Sequence, residues 1–323
     1  MRSLVKSMIA ALAALGAGWT GALAADWPSE KPITMIMPFA AGSDFQARLV
    51  AGGLEKLLGQ TIVFENKPGA GGATGTGYGA RQAPDGYTLI MAYPGPAANF
   101  TNTMKDLPYK PLEDFEHISQ ISVGDMILVA RKDFPANTLP ELIEYMKANP
   151  GKVSAGNNGI GSYGHMIELA VAEKAGVEMK LVPYKGSPAI VTDMLSGSVD
   201  LSLDFLGDTY MKQIQAGSIK PIAVVSAQRA RVLPDVPTFR EGGIDFVAAP
   251  WSGIMAPKGT PRDIVDKVNA AMATYLADAE TIAKFGAIGQ TPVHTTPEGF
   301  HDVVVKEEAL WRDLIKKYGI SNQ

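Results

Sequence analysis

ITMIMPFAAGSDFQARLVAGGLEKLLG, residues 33–59, decides the fold class. It opens with an apolar run at 33–39 that predicts a buried strand, and the small-residue turn AAGS follows. Helical spacing then relates Phe45, Leu49, Val50, Leu54, Leu57 and Leu58, before Gly59 ends the helix. Two more apolar runs, TIVFE (61–65) and YTLIMA (87–92), predict further strands. Alternating strands and helices indicate a parallel sheet that helices cover.

The alternation continues through the second half of the chain. A capping box of Thr138 and Glu141 predicts a helix over 138–147, and two helices are expected to close the chain. Further strands are predicted at 126–130, 152–155, 179–182, 199–204, 219–225 and 251–256, and further helices at 165–174 and 187–196. These strands are too many for one comfortable sheet. We therefore expect two α/β lobes joined by crossing strands. The candidates for these crossing strands are Met126–Ala130 and Trp251–Ala256.

The first residues and the composition indicate an exported protein. Arg2 and Lys6 precede a short apolar run at 8–19, and Ala22–Ala24 forms an A-x-A cleavage site, which together predict a signal peptide over residues 1–24. The chain has no cysteine, which excludes disulfides, thiolate nucleophiles and sulfur metal ligands. Its net charge of −4 argues against nucleic acid or an anionic membrane as partner.

A glycine-rich segment imitates a nucleotide-binding motif. GTGYGA, residues 75–80, fits the dinucleotide fingerprint G-x-G-x-x-G/A. That fingerprint needs a strand immediately before its first glycine and an acidic residue about twenty positions later. Here the preceding strand ends near Glu65, and the segment YPGPAAN supplies no acid. We therefore interpret the small residues as allowing a helix to approach the sheet closely, and we expect no cofactor.

Motifs for catalysis are missing as well. The sequence contains no G-x-x-x-x-G-K-[ST] loop, no nucleophile elbow and no H-E-x-x-H pair. His165 and Glu168 are one helical turn apart and could share a helix face, which fits packing or capping better than a metal site. We expect neither catalytic residues nor a metal.

Three strand-to-helix turns share one design instead. AAGSD (40–44), GIGSYGH (159–165) and YKGSP (184–188) consist of small residues and open a helix. Free N–H groups at a helix start favour an anion. If the turns face one another across a cleft between two lobes, they could hold opposite ends of one anionic molecule.

The sequence resembles the periplasmic solute receptors of tripartite tricarboxylate transporters, also called Bug receptors. The resemblance covers nearly the whole chain after the predicted signal peptide. It is carried by WPSEKPITMIMPFAAG, ENKPGAGGATG, APDGYTLIM, DLPYKPLEDF, ANPGKVSAGNNGIGSYGH, VPYKGSPAIVTDMLSGSVDL, PDVPTF and APKGTP.

The resemblance implies a type II periplasmic binding protein, in which two α/β lobes joined by two crossing strands close on a ligand. We expect residues 25–127 and 252–323 to form lobe 1 and residues 128–251 to form lobe 2. The resemblance further implies a monomeric, non-enzymatic receptor in the periplasm. It would capture a small carboxylate, such as a di- or tricarboxylate, and deliver it to the large and small membrane subunits of the transporter.

The family's ligand site maps onto loops of both lobes. The residues implied are Phe39, Ala41, Gly42, Ser43, Asp44, Tyr93, Gly95, Ala97, Asn158, Gly161, Ser162, His165, Pro183, Tyr184, Lys185, Gly186 and Asp204. Ser162 and loop amides would donate to the carboxylate, and the two tyrosines would form walls. Lys185 would attract the anion or remain a solvated lysine at the lip. Asp204 is expected to be structural or to hold water, and His165 to support the helix start rather than contact the ligand.

One departure from the family affects the first turn. The family pattern is P-F-x-x-G-G-x-x-D, whereas here Gly42 is followed directly by Ser43 and Asp44. Two residues are missing, so we expect a shorter loop and a wider or reshaped pocket. Phe45 would then fill the gap against the ligand, or it would be the first core residue of the helix.

Two other functions remain open at this level. The liganded protein could dock on a membrane histidine kinase as a sensor, with the same fold and pocket. It could also be an exported hydrolase on a two-lobed scaffold, which ligand turnover would reveal.

Overall fold

The computed structural model describes residues 27–39, 41, 44–159, 162–184 and 186–320. The predicted signal peptide lies outside these residues. Within them, no helix combines the length and the apolar character that a membrane span requires.

The first of two sheets has six strands in the order β11-β4-β10-β3-β1-β2. Strands β1 to β3 are parallel, whereas β10 runs antiparallel to both of its neighbours. The strands are β1 (Ile33–Met37), β2 (Ile62–Asn66), β3 (Thr88–Ala92), β4 (Phe115–Gly124), β10 (Trp251–Pro257) and β11 (Gln290–Pro292).

The second sheet has five strands in the order β7-β6-β8-β5-β9. Strands β6, β7 and β8 are parallel, and β5 runs antiparallel to β8 and β9. The strands are β5 (Met126–Arg131), β6 (Ser154–Asn157), β7 (Lys180–Pro183), β8 (Leu201–Phe205) and β9 (Ile219–Val224).

Helices cover both sheets and form a sheet-plus-helix lobe around each. The first sheet carries α1 (Phe45–Leu58), α2 (Ala73–Ala80), α3 (Phe100–Thr103), α8 (Arg262–Ala277) and α9 (Ala279–Ala287). The second carries α4 (Leu139–Ala148), α5 (Tyr163–Ala175), α6 (Ser187–Ser196) and α7 (Asp208–Gln215). Short helical segments at Ala70–Gly72 and Gly95–Asn99 and the long C-terminal helix α10 (Pro297–Tyr318) complete the elements. The two-lobed α/β class expected from the alternating pattern is confirmed.

The chain passes between the sheets at two adjacent points. Only Asp125 separates β4 of the first sheet from β5 of the second. The return passes through Ala248, whose N–H donates to Val225, and ends at Pro250, whose carbonyl accepts from Gly124 N at 2.7 Å. The crossings come directly before the two strands that were predicted to cross. Each of these strands, Met126–Ala130 and Trp251–Ala256, therefore lies wholly in one sheet. The predicted lobe limits stay a prediction.

Helix α10 belongs to both lobes. Near its start, Phe300 and Val304 are buried in a cluster with strands of the first sheet. Near its end, Trp311 and Ile315 are buried in the core of the second sheet. The helix therefore acts as a third connection beside the two crossings.

Several predicted elements are confirmed, and a few were missed. Helix 187–196 is found at the predicted limits, and Thr138 caps its helix by accepting from Glu141 N. Strands β4 and β11 and helix α7 had no counterpart in the prediction. The predicted pair of closing helices is wrong, because the chain breaks at Asp278 and forms three.

The glycine-rich helix α2 lies against the first sheet. A Cβ on Gly75 would stand 2.6 Å from the carbonyl oxygen of Lys67 and 2.7 Å from Pro38 Cα. Both obstacles are backbone atoms, which confirms that small residues let this helix approach closely.

We expect Gly75→Ala to lower the free energy of unfolding by about 1–3 kcal/mol, because the backbone must shift to admit the methyl group. Gly52→Ala is the matched control in α1, where a Cβ meets nothing within 4 Å. In that control, the free energy of unfolding should rise by about 0.5–1 kcal/mol, because alanine has a higher helix propensity than glycine. Urea denaturation of both variants checks the prediction, and equal stability of the two would contradict it.

Candidate functional site

A cavity of about 600 Å³ lies between the lobes. The first lobe contributes the ends of β1 and β3 and the start of α1, and the second contributes Tyr163 and the Phe205–Gly207 turn. Gly124, Asp125 and Pro250 of the crossings close it at the back. Its size falls within the range of small-molecule sites.

The walls of the cavity are mostly apolar. The residues that form them are Met37, Phe39, Phe45, Tyr93, Pro94, Pro96, Tyr163, Phe205, Leu206, Pro250, Trp251 and Ile288. Aromatic rings therefore come from both lobes, and they suit a flat or extended apolar body.

Among the described lining residues, Asp125 carries the only ionisable charge. Burial raises the pKa of Asp125, and the nearby Ser226 hydroxyl partly offsets this effect. The remaining polar lining comes from uncharged side chains: Gln46, Ser122, Ser252 and Gln290. No group of three or more His, Asp or Glu side chains suited to a metal occurs in the described part of the chain.

A buried carboxyl lies behind the aromatic wall. Glu307 of α10 accepts a hydrogen bond from Trp311 Nε1 at 2.6 Å. The side chains of Trp251 and Tyr163, both of which line the cavity, also lie beside it. Burial nevertheless raises the pKa of Glu307. Because Tyr163 belongs to the second lobe and Trp251 begins β10 of the first, this carboxyl lies between side chains from both sides of the cavity.

Three predicted ligand residues of the first lobe line this cavity: Phe39, Tyr93 and Gly95. The rings of Phe39 and Tyr93 meet edge to face, with their centroids 5.1 Å apart. Burial, reinforced by the charge of Asp44, raises the pKa of the Tyr93 hydroxyl, which therefore stays neutral.

The other predicted residues of this lobe lie elsewhere. Asp44 is buried and pairs with Arg48, with Oδ2 2.6 Å from Nη2. Ala97 is fully buried in the core, and Ala41 is exposed. Gly42 and Ser43 lie outside the described residues. The expected effect of the shortened turn therefore stays a prediction.

In the second lobe, Asp204 connects the loop after β6 with helices α6 and α7. Its carboxylate accepts from Asn158 Nδ2 at 2.8 Å, Ser187 Oγ at 2.5 Å and Tyr210 OH at 3.2 Å. Burial raises the pKa of Asp204 despite these hydrogen bonds. This position fits the structural role that we expected for the residue.

Ser162 and His165 stand at the start of α5. Ser162 Oγ accepts from His165 N at 3.2 Å and caps the helix. Burial lowers the pKa of the half-buried His165 imidazole. Neither residue is among the described lining residues, although Tyr163 between them is.

The third turn lies farther from the cavity. Tyr184 OH donates to Asp193 Oδ2 at 2.7 Å, Pro183 is exposed, and Gly186 is half-buried. None of the three lines the cavity, whereas Gly161 and Lys185 lie outside the described residues. In place of this turn, the Phe205–Gly207 turn faces the first lobe, a position that the sequence analysis missed.

The position of Phe45 decides between the two roles that the sequence analysis left open for it. Its side chain is 58% exposed and lines the cavity, so the core interpretation is wrong. The neighbouring Gln46 is buried instead, because at the first turn of α1 the inward face begins one residue later. Phe45 and the 47% exposed Phe205 therefore stand at the cavity from opposite lobes.

In the helix pair His165 and Glu168, the acid is buried and hydrogen-bonded. Glu168 is 1% exposed, and its Oε2 accepts from Asn157 Nδ2 at 2.8 Å. Burial raises the pKa of Glu168 to about 8. The packing alternative for this pair is therefore confirmed for Glu168.

Comparison with known proteins agrees with this architecture. Residues 46–320 match the model of the tripartite tricarboxylate transporter family receptor (TctC). The chain belongs to this family. The receptor is 34% identical to Protein BugT of Bordetella pertussis over 307 residues, covering 94% of each chain.

Solved structures of similar proteins include two with bound acids. An R. palustris protein with adipate is 32% identical to the receptor, with a TM-score of 0.76 over 92% of this chain and 99% of that one. MatC from Rhodopseudomonas palustris with bound malate is 30% identical, with a TM-score of 0.70 over 89% and 99%. The type II binding-protein architecture of the receptor is shared with these proteins.

Proposed function

We propose that this receptor captures a small carboxylate in the periplasm and delivers it, unchanged, to a tripartite tricarboxylate-type membrane transporter. The observation that carries the proposal is the cavity between the lobes, which residues of both lobes line and the two crossings close at the back. The similarity to proteins solved with adipate and malate supports the ligand class. The family description supports the transporter as partner.

Capture in this site combines two features. The start of α5, after β6, reaches the cavity through Tyr163, and its N–H groups favour an anion. The apolar walls remove water around the rest of the molecule. Closure about the crossings would bury the exposed Phe45 and Phe205 rings against the ligand.

We expect the mature protein to gain thermal stability with at least one acid from a panel of C4–C6 diacids, citrate, acidic amino acids and aromatic acids. A ligand at one hundred times its Kd stabilises the folded state by about 2.7 kcal/mol. Thermal denaturation with and without each acid is the measurement, and no shift across the panel would refute capture. Recovery of the unchanged acid after long incubation separates capture from turnover.

Phe45→Ala should weaken binding of the acid found in this panel by about tenfold, which corresponds to about 1.4 kcal/mol. The stability of the unliganded variant should hardly change, because the ring is exposed. Leu57→Ala is the matched control: Leu57 is 45% exposed on the same helix but does not line the cavity. Calorimetric titration of both variants checks this, and equal affinities would remove Phe45 from the site.

A further inference from the structure

Four uncharged polar side chains form a cluster at one end of the cavity. Gln46 comes from α1, Ser122 from β4, Ser252 from β10 and Gln290 from β11. All four line the cavity, whose other described walls are mainly apolar. We call them the amide–hydroxyl cluster.

The cluster is held by short contacts. Gln46 Nε2 lies 2.6 Å from Ser122 Oγ and 2.7 Å from Ser252 Oγ, and it also contacts Gln290 Oε1. The two hydroxyl oxygens are 2.7 Å apart, and Ser122 Oγ is 2.9 Å from Gln290 Oε1. These contacts occupy the hydroxyl protons and one end of each amide.

The second polar atom of each amide makes no contact within the cluster. Because the Gln46–Gln290 contact joins two amides, one contacting atom is a nitrogen and the other is an oxygen. The two remaining atoms, Gln46 Oε1 and Gln290 Nε2, are therefore one acceptor and one donor. Turning both amides around exchanges these roles but still leaves one of each.

These two atoms face accessible space. Neither is among the described side-chain atoms that are buried without a hydrogen-bond partner, and both residues line the cavity.

We propose that Gln46 and Gln290 select an organic acid whose end remote from its carboxylate carries a hydroxyl or a primary amide. The inference rests on the proposed function and names the ligand within it. A hydroxyl both donates and accepts, so it can satisfy both amide ends. A carboxylate only accepts and would face an amide oxygen, whereas a methyl group would leave both amide ends unpaired.

Three six-carbon acids that differ only at the remote end test the proposal. Hexanoate, 6-hydroxyhexanoate and adipate are titrated calorimetrically into the mature protein. We expect 6-hydroxyhexanoate to bind about tenfold more tightly than hexanoate and more tightly than adipate. Equal affinity for hexanoate and its hydroxylated form, or tightest binding of adipate, would overturn the inference and leave the proposed function standing.

Malate, citrate and aromatic acids are titrated in parallel. If one of these binds while hexanoate, 6-hydroxyhexanoate and adipate do not, the selection by the amide–hydroxyl cluster is refuted but carboxylate capture is not. If no acid binds, both proposals fail.

Gln290→Leu assigns the selectivity to the cluster. Gln290 is half-buried in a short strand, and its replacement should reduce the preference for 6-hydroxyhexanoate over hexanoate to about one. Gln82→Leu is the matched control, because the Gln82 amide donates to Tyr78 O outside the cavity. An unchanged preference in Gln290→Leu would contradict the assignment, and the acid series on the unaltered protein decides the inference even if this variant does not fold.

Discussion

Replacing Trp311 with alanine is expected to lower the free energy of unfolding by about 3–5 kcal/mol. The indole is fully buried in the core of the second lobe. The beginning of the same helix is buried against the first lobe. The indole ring also packs against Tyr163, with centroids 5.5 Å apart, and donates to Glu307. The substitution therefore leaves a large cavity and also removes a hydrogen bond from a buried carboxyl. Urea denaturation measures the loss.

Leu310→Ala is the control for this effect. Leu310 precedes Trp311 on the same helix but is 42% exposed, and exposed substitutions usually change stability by no more than about 0.5 kcal/mol. If both variants lose equally little, the second half of α10 does not anchor the second lobe.

A second large effect concerns pH. Burial raises the pKa of Glu168 from 4.5 to about 8, so the folded protein holds a proton that the unfolded chain has released. The free energy of unfolding therefore falls as pH rises between these values, by at most about 1.4 kcal/mol per pH unit. We expect a loss on the order of 3 kcal/mol from this group between pH 5 and 8.

Glu168→Gln isolates the contribution of this group, since the amide keeps the shape and removes the proton equilibrium. The variant should be less sensitive to rising pH than the unaltered protein, while burial-raised pKa values at Asp204 and Glu307 leave a residual slope of the same sign. Glu144→Gln, an exposed change, should follow the unaltered profile. Identical pH profiles for Glu168→Gln and the unaltered protein would show that Glu168 ionises normally.

The sequence predicted the fold class and most strands because their apolar runs are continuous. Strand β4 was not predicted, because its buried polar side chains interrupt the apolar pattern. These side chains are His117, Ser119, Gln120 and Ser122. Their partners lie far away in the chain, as Ser119 Oγ donating to Thr295 O illustrates. The break at Asp278 depends on its carboxylate accepting from Thr281 N, a cap that the prediction did not apply.

The candidate site was less accessible to prediction. Phe39, Tyr93 and Gly95 line the cavity as the family resemblance implied, since each lies at or just after the end of a predicted strand of the first sheet. The amide–hydroxyl cluster left no local pattern, because its members come from four elements and each is an ordinary residue in its own segment. Only the arrangement of β4, β10 and β11 beside α1 brings them together.

The position of β10 has a consequence for the order in which the protein can assemble. This strand lies between β4 and β3, yet it follows them in the chain by more than a hundred residues. As the polypeptide emerges from its amino end, the five-stranded sheet has all its partners once Val224 is present. The six-stranded sheet remains divided into separate pieces until Trp251–Pro257 arrives. A growing chain can thus pair all the strands of its middle sheet first, and the sheet whose strands are synthesised first is the last to be completed.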